Sequence, residues 1–301
     1  MKVFHAIENY FWVFLLAGIV LGLSYPVYND FLMSMLKPLL MVMLFLVFLK
    51  TDLILILKQI KDYRLMAYLV CLYMLVIPVV LFLTLNIFNR QLAIGILLLT
   101  AMPAAVSAAT LTDIVKGNIA LASGITIITS MLAPFTIPLL FKFINYGNLS
   151  INTLDIFTDL LILVFLPLLL SQISKKIIPG IIDKGKNKIT SVNILIIFIM
   201  IFAAMGSQRD LILSGSLGVL WQISALYLIF IMLHFVGYFI GFNQNKESRV
   251  AITIGTAYKN NGMAIVLAAI HFEPAILVLM VLSEFPWNTL LAPFRRVLRY
   301  L

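Results

Sequence analysis

The sequence predicts an all-α polytopic membrane protein with ten transmembrane helices in an inverted five-plus-five repeat, in which helices four and nine are broken and cross. Two observations carry this prediction. The 301 residues are 63% hydrophobic and 11% charged, with a mean hydropathy of +1.11, which lies outside the range of soluble globular domains. The apolar residues also fall in runs of about 20, the length that crosses the hydrocarbon core as a helix.

The ten apolar runs follow one another with short polar connections. We interpret the first as a retained transmembrane helix because it continues to full spanning length, which a signal peptide does not. The seventh run is short unless it begins near Ile189. The predicted spans are Tyr10–Val27, Phe31–Leu49, Leu65–Ile87, Leu92–Thr112, Ile119–Ile144, Ile156–Ile173, Val192–Met205, Leu217–Phe242, Val250–Phe272 and Pro274–Pro293.

Positive charge is distributed unevenly between the two sides of these spans. If both termini are cytoplasmic, only four of the 21 Lys and Arg residues lie on the outer side: Lys37, Arg90, Lys142 and Arg209. Lys259 lies within the membrane, and the others lie on the cytoplasmic side. Cytoplasmic loops are enriched in Lys and Arg, so we expect both termini inside, in a bacterial-type inner or plasma membrane. The same rule accounts for the net charge of +9 without a nucleic-acid partner. The sequence indicates no protein partner.

The chain divides near residues 146–152 into two sets of five spans, predicted as repeats 1–145 and 152–301 of one integral membrane domain. An odd number of spans per set makes the repeat inverted, as in many secondary transporters. Similar openings of spans four and nine place Pro103 opposite Asn261. Proline removes a backbone donor and glycine permits opening, so Pro103 and Asn261-Gly262 predict breaks. Two corresponding interrupted spans indicate a transport site.

Lys259 is the most informative single residue. It lies near the middle of the ninth span, within Thr256-Ala257-Tyr258-Lys259-Asn260-Asn261-Gly262. An ammonium at the bilayer centre costs roughly 2.5–3.5 kcal/mol on insertion scales, and charges at that depth are usually functional. We therefore expect Lys259, with Tyr258, Asn260 and Asn261, to line a binding cavity.

Glu284 is the second charge at depth, in the tenth span. Because spans nine and ten run in opposite directions, Lys259 and Glu284 fall at similar depths. We expect them to face each other or to share water; the alternatives are that Glu284 is a separate proton site or faces an internal wet pocket. The remaining candidates lie around the first break and in the fifth span: Pro103, Ser107, Thr110, Thr112 and Thr126.

Several of these residues have a plain structural alternative. Ser and Thr in a membrane helix often bond back to their own backbone, and among them only Thr126 is raised above that interpretation. His234 has no second His, Asp or Cys at ligand spacing and is interpreted as incidental. With one cysteine and scattered histidines, no metal site and no cofactor are expected.

Two patches carry a family resemblance. One runs from Pro103 to Pro134 and contains Lys116-Gly117-Asn118-Ile119-Ala120-Leu121 and Ser130-Met131-Leu132-Ala133-Pro134; the other is Asn260-Asn261-Gly262-Met263-Ala264. They resemble the two crossing motifs of the bile acid:sodium symporter family, within the bile/arsenite/riboflavin transporter superfamily. The resemblance implies ten spans, an inverted repeat with crossing fourth and ninth helices, and secondary transport.

The chain departs from that family at the sodium ligands. Where the family has Ser-Asn, this chain has Ala108 and Ala109, and a further family Ser is replaced by Ala122. The family's Glu, which contacts both sodium ions, is replaced by Gly255, and its Gln beside the crossing is replaced by Lys259. The family threonine is kept as Thr126. The resemblance therefore implies a divergent member that lacks most sodium ligands and has Lys259 in place of a sodium ion.

We expect a secondary transporter of a small organic anion, with a carboxylate as the favoured class, because half-helix N-termini and Lys259 attract negative charge. Transport would use alternating access and be sodium-independent. It would be either facilitative or proton-coupled through Lys259 and Glu284, since a desolvated lysine can release its proton.

Other functions stay open at this point. They are a sodium-coupled organic anion symporter, an arsenite-type efflux carrier and a non-transporting membrane sensor. The arsenite carriers have a cysteine after the fourth-span proline, where this chain has Ala104. An enzyme is not expected, because no cluster of catalytic groups lies near either surface. ATP-driven transport is disfavoured because the sequence has no phosphate-cradling G-x-x-x-x-G-K-[ST] motif.

Overall fold

A computed structural model of the chain describes residues 11–25, 30–51, 63–144, 152–215, 218–298 and 300. Within these ranges the chain is helical, and its only extended pairing is one isolated β-bridge. The α-helices are α1 Phe11–Ser24, α2 Asp30–Ser34, α3 Leu36–Lys50, α4 Tyr63–Cys71, α5 Ile77–Asn86, α6 Arg90–Ala101, α7 Ala108–Ile114, α8 Ile119–Ile144, α9 Thr153–Ile177, α10 Pro179–Gly185, α11 Ile189–Ser207, α12 Arg209–Leu213, α13 Val219–Ile240, α14 Lys246–Ala257, α15 Asn261–His271, α16 Pro274–Leu282, α17 Glu284–Thr289 and α18 Leu291–Val297. A π-helical segment, Leu72–Val76, joins α4 to α5, and a 3-10 turn, Lys186–Lys188, precedes α11.

Seven helical stretches in the described residues are long and apolar enough to cross a membrane: Phe31–Lys50, Tyr63–Asn86, Ile119–Ile144, Thr153–Ile177, Ile189–Ser207, Val219–Ile240 and Pro274–Val297. Three shorter apolar helices, Val13–Ser24, Arg90–Ala101 and Asn261–His271, overlap parts of the predicted first, fourth and ninth spans. The all-helical membrane class is confirmed, and the helix of the predicted seventh span, α11, does begin at Ile189. The ten-span count and the inverted repeat stay predictions.

The predicted repeat boundary between residues 145 and 152 lies outside the described residues, as do residues 1–10 and Leu301 at the chain ends. The same holds for the predicted span limits Tyr10, Val27 and Leu217.

Large apolar side chains cover the outward surface of the helices. Leu220 is 82% exposed, Phe143 69% and Leu228 71%. An apolar surface of this extent is typical of a protein that faces lipid.

The helices pack in two groups, which meet where α8 lies against α9. In the first, α1 lies against α11, and α3 lies against both α9 and α11. In the second, α5 packs on α6, α13 on α14, α15 on α16, and α8 on α14. Close approach of α1 and α11 depends on Gly22, where a Cβ would fall 2.7 Å from the carbonyl oxygen of Phe202; small residues permit such crossings in membranes.

An ion cluster joins the two groups. The Asp159 carboxylate in α9 receives the Lys37 ammonium of α3 at 2.5 Å and the His271 Nε2 of α15 at 2.8 Å. Its three side chains are 10–29% exposed, so this cluster is partly shielded from solvent screening. The last residue of α15 is therefore tied to the other group.

Spans four and nine are both broken, as the sequence predicts. The fourth stops at Ala101 and resumes as α7 at Ala108; the ninth stops at Ala257 and resumes as α15 at Asn261. Pro103 accounts for the first break because it cannot donate to the preceding turn. Asn260 accounts for the restart of the ninth, since its Oδ1 caps α15 by accepting from the Met263 N–H at 3.1 Å.

The tenth span, predicted as one helix, is divided into α16, α17 and α18. The divisions fall at Ser283 and Leu290. A proline lies three residues after each division, Pro286 or Pro293, and neither can donate to the carbonyl one turn back. The sequence contained this signal, but its effect on the span was not predicted.

Candidate functional site

The two breaks meet in the middle of the helical second group. Segment 103–105 lies antiparallel to segment 258–260, and the isolated bridge pairs Ala104 with Lys259. Backbone hydrogen bonds flank the bridge: Ala105 N–H to the Tyr258 carbonyl at 2.8 Å, and Asn260 N–H to the Pro103 carbonyl at 2.9 Å. These bonds satisfy backbone groups that a helix would otherwise pair, as burial in a membrane requires.

Threonines of α8 complete the backbone pairing of the first break. The Thr129 hydroxyl accepts from the Ala104 N–H at 3.1 Å and lies 2.7 Å from the Ile125 carbonyl, to which it can donate. The Thr126 hydroxyl lies 3.2 Å from the Ala105 carbonyl and 3.0 Å from that of Ala122. Thr126 is thus at the crossing, as predicted, and Thr129 has an equally direct role that sequence reasoning did not assign.

Lys259 is 1% exposed, and its ammonium has little compensation. Its Nζ lies 3.4 Å from the Tyr73 carbonyl oxygen and 5.2 Å from the centre of the Tyr73 ring. No carboxylate oxygen of the described residues comes within 4.0 Å of it. The Lys259 carbonyl accepts from Trp287 Nε1 at 3.1 Å. The backbone of this residue is therefore held, while its charge is left nearly unpaired.

Tyr258 points away from Lys259, into an aromatic cluster between α13 and α17. Its hydroxyl lies 3.2 Å from Nε2 of His234, whose Nδ1 lies 2.7 Å from the Phe230 carbonyl. With Nδ1 donating to that carbonyl, Nε2 is left to accept from the tyrosine hydroxyl. The interpretation of His234 as incidental was wrong, because the residue anchors the ninth-span break to α13. Only contact in the fold shows this.

Glu284 is 6% exposed and has its own partners. Asn288, one turn on, donates from Nδ2 to the Glu284 Oε2 at 3.0 Å and to the Glu284 carbonyl at 2.7 Å. Asn261 donates to the Ser283 hydroxyl at 3.0 Å. The residue next to Glu284 is therefore bonded to the start of α15.

Lys259 and Glu284 make no ion pair in this conformation. The ion pairs found among the described residues involve neither side chain. The expectation that the two charges face each other in direct contact is not met. Both instead flank the crossing, Lys259 towards Tyr73 and Glu284 towards Asn288.

Four buried polar atoms of the candidate residues and their neighbours have no hydrogen-bond partner among the described residues: Thr112 Oγ1, Asn260 Nδ2, Asn261 Oδ1 and Asn288 Oδ1. Buried polar atoms are rarely left unpaired in folded proteins. Two of them belong to the Asn260-Asn261 pair beside Lys259, which is the chemistry expected where a polar ligand binds.

The remaining predicted residues, Ser107, Thr110 and Thr112, lie at the start of α7 or within it. Thr110 is exposed on α7 and Ser107 is half-buried at the start of that helix, where its side chain makes no capping bond. The structure thus brings Pro103, Thr126, Tyr258, Lys259, Asn260 and Asn261 together. It adds Tyr73, Thr129, His234 and Trp287, which sequence reasoning missed.

No group of three or more His, Cys, Asp or Glu side chains within the described part of the chain is placed to hold a metal ion.

Comparison with known proteins gives one family. The model of the SBF-like CPA transporter family, also designated DUF4137, matches residues 9–285, which include both breaks and Glu284. No curated protein sequence matches the chain significantly.

Proposed function

The chain belongs to the SBF-like CPA transporter family, and from that premise we propose that it carries a small organic anion across the membrane, with Lys259 as a built-in cation. Family membership makes it an integral membrane transporter and supports a non-enzymatic role. The substrate class, the coupling and the alternating-access mechanism are the proposal.

The observation that carries the proposal is the environment of Lys259. A fully buried ammonium has one carbonyl contact, at 3.4 Å, and no carboxylate within pairing distance among the described residues. A buried charge without a partner is costly, and an anion supplied by the substrate would compensate it. The N-terminal end of α15, capped by Asn260, adds partial positive charge at the same place.

Packing around Gly255 supports sodium independence. A Cβ at this position would fall 3.1 Å from Ile125 Cγ2 and 3.3 Å from Tyr73 Cε2, so a glutamate here would have to displace both side chains. Ala108 and Ala122 are also fully buried, and their side chains offer no oxygen. Sodium requires several oxygen ligands, and the side chains at these three positions supply none.

Glu284 is the second element of the proposal. Its carboxyl is buried and accepts from Asn288, and it makes no ion pair with Lys259. A proton carried by Glu284 would couple transport to the proton gradient. If Glu284 has only a structural role, transport is facilitative. These two forms of the proposal differ in one measurement, the response of uptake to an imposed proton gradient.

Alternating access would move the second helix group, which holds the crossing, against the first. Lys259 is buried in this conformation, so a substrate reaches it only after such a movement. We further propose the ten-span inverted repeat with both termini cytoplasmic, in a bacterial-type inner membrane. Cysteine accessibility at residues in the predicted inner and outer loops tests that orientation.

The test of function is uptake of small radiolabelled carboxylates by proteoliposomes containing the purified protein. We expect uptake of at least one carboxylate without sodium, and loss of that uptake in Lys259→Gln. Lys142→Gln, which removes an exposed cation from the end of α8, is the matched control and should transport normally. Strict dependence on a sodium gradient would overturn sodium independence. Saturable binding without flux would instead indicate a sensor.

A further inference from the structure

The third span contains a carbonyl group that its own helix leaves free. In the π-helical segment Leu72–Val76, the Ile77 N–H donates to Leu72, five residues back. The next residue is Pro78, which has no N–H. In regular helical geometry, a carbonyl accepts from the N–H four or five residues ahead, which for Tyr73 means residue 77 or 78. Ile77 donates to Leu72 instead and Pro78 has no N–H, so neither residue donates to the Tyr73 carbonyl.

That carbonyl is the group that faces Lys259. Tyr73 is fully buried, and its carbonyl oxygen lies 3.4 Å from Lys259 Nζ. The Tyr73 hydroxyl donates to the Ile252 carbonyl of α14 at 2.6 Å. Tyr73 is thus fixed to the ninth span at both ends of the residue, by its hydroxyl to α14 and by its carbonyl to the lysine in the break.

We propose that the π-turn and Pro78 form a positioning element for Lys259, by holding the Tyr73 carbonyl open as the resting acceptor of the ammonium. π-Turns within α-helices are frequent at functional sites. Proline at position 78 ensures that no main-chain donor from the next turn competes with the lysine.

A carbonyl suits this task better than a carboxylate. It orients the ammonium without neutralising it, and it occupies one of the three N–H donors. The charge and the other two donors stay available for an incoming anion. The availability of the ammonium to a transported anion rests on the proposed function. The role of the Tyr73 carbonyl as the acceptor of Lys259 does not depend on it.

The first test is a double-mutant cycle on thermal unfolding of the purified protein in detergent. Pro78→Ala restores an N–H that can reach the Tyr73 carbonyl. In the wild-type background that donor competes with Lys259, whereas in Lys259→Met it fills an acceptor left empty. We expect Pro78→Ala to raise the unfolding midpoint of Lys259→Met by about 2–4 °C more than it raises that of the wild type.

Pro167→Ala is the matched control, because Pro167 also lies inside a helix, α9, in the other helix group. It should change the midpoint equally in both backgrounds. Equal effects of Pro78→Ala in the two backgrounds would overturn the proposal, because a proline that only shapes its own helix would not be energetically coupled to residue 259.

The second test does not require Pro78→Ala to fold. Tyr73-Met74 is the only Tyr-Met pair in the sequence, so labelling with carbonyl-¹³C tyrosine and ¹⁵N methionine isolates the Tyr73 carbonyl in solid-state NMR. Its ¹³C shift should move in Lys259→Met and stay fixed in Lys142→Gln. An unchanged shift in Lys259→Met would show that the ammonium does not use this carbonyl.

Neither measurement involves a substrate. A positive cycle or NMR shift with no carboxylate uptake would refute the proposed function and leave the positioning role intact. Uptake that depends on Lys259, with neither effect observed, would refute the positioning role alone.

Discussion

Trp287 and Lys259 are joined by a hydrogen bond from the indole Nε1 to the lysine carbonyl, 3.1 Å long. The bond links α17 to the extended segment between α14 and α15. The same indole packs edge-on to the Tyr258 ring, with the centroids 5.4 Å apart. One side chain therefore holds two consecutive residues of the ninth-span break, while the lysine side chain extends towards the third span.

Trp287→Phe should destabilise the protein. It keeps most of the packing but removes the donor, and a carbonyl left unpaired in a buried site costs about 1–3 kcal/mol. The midpoint of thermal unfolding in detergent measures the loss. Trp221→Phe is the control, because Trp221 is 57% exposed; a drop of similar size there would show that tryptophan loss in general, and not this bond, is responsible.

Thr129→Val should weaken the first break. The Ala104 N–H would lose its acceptor, with an expected cost of about 1–3 kcal/mol in unfolding free energy. Thr136→Val is matched to it, since Thr136 lies in the same helix and also faces a carbonyl one turn back, that of Leu132 at 3.1 Å, but receives no bond from the break. Equal losses in the two variants would contradict the role assigned to Thr129.

Tyr258→Phe removes the hydroxyl that pairs with His234 and leaves the buried imidazole without that partner. We expect a loss of about 1 kcal/mol, seen as a lower unfolding midpoint. The control is Tyr227→Phe, which removes a hydroxyl bond of 2.8 Å to Thr289 at an exposed position. A stability of Tyr258→Phe equal to or above that of Tyr227→Phe would argue against the anchoring of the break to α13.

Lys259→Met and Glu284→Gln should have additive effects on unfolding free energy, within about 0.5 kcal/mol. The physical reason is that each side chain has its own partners, Tyr73 for the lysine and Asn288 for the glutamate. The double variant is compared with the two single variants under one set of conditions. Strong non-additivity would indicate that the two charges interact in a conformation other than this one.

Asp159→Asn should loosen the contact between the two helix groups. The carboxylate receives both Lys37 and His271, and charge-assisted hydrogen bonds contribute about 1.5–3 kcal/mol. The unfolding midpoint should fall, whereas Asp155→Asn, at an exposed position in the first turn of the same helix, should leave it unchanged. A fall in both would point to the helix N-terminus and not to the cluster.

The breaks were predictable because their causes are local. Pro103 and the Asn260-Asn261-Gly262 run disrupt helices by their own covalent structure, and Lys259 is conspicuous as a charge in an apolar run. The same reasoning applied to Pro286 would have located the division of the tenth span at Ser283.

The partners of these residues were less accessible from the sequence. Tyr73, Thr129 and Trp287 lie in three other helices, and their contacts with the crossing depend on how those helices rotate and pack. Depth arguments placed Lys259 and Glu284 at one level, but depth does not determine direction around a helix. The two side chains accordingly lie near the same crossing without pairing.

Helix α15 has 11 residues, and at 1.5 Å per residue it is about 16 Å long. One end is fixed at the crossing by Asn260 and Asn261, and the other at Asp159 through His271. A short helix bonded at both ends moves as one unit. A shift of the crossing along the axis of α15 would therefore also strain the contact between His271 and Asp159, a helix length away from the ammonium.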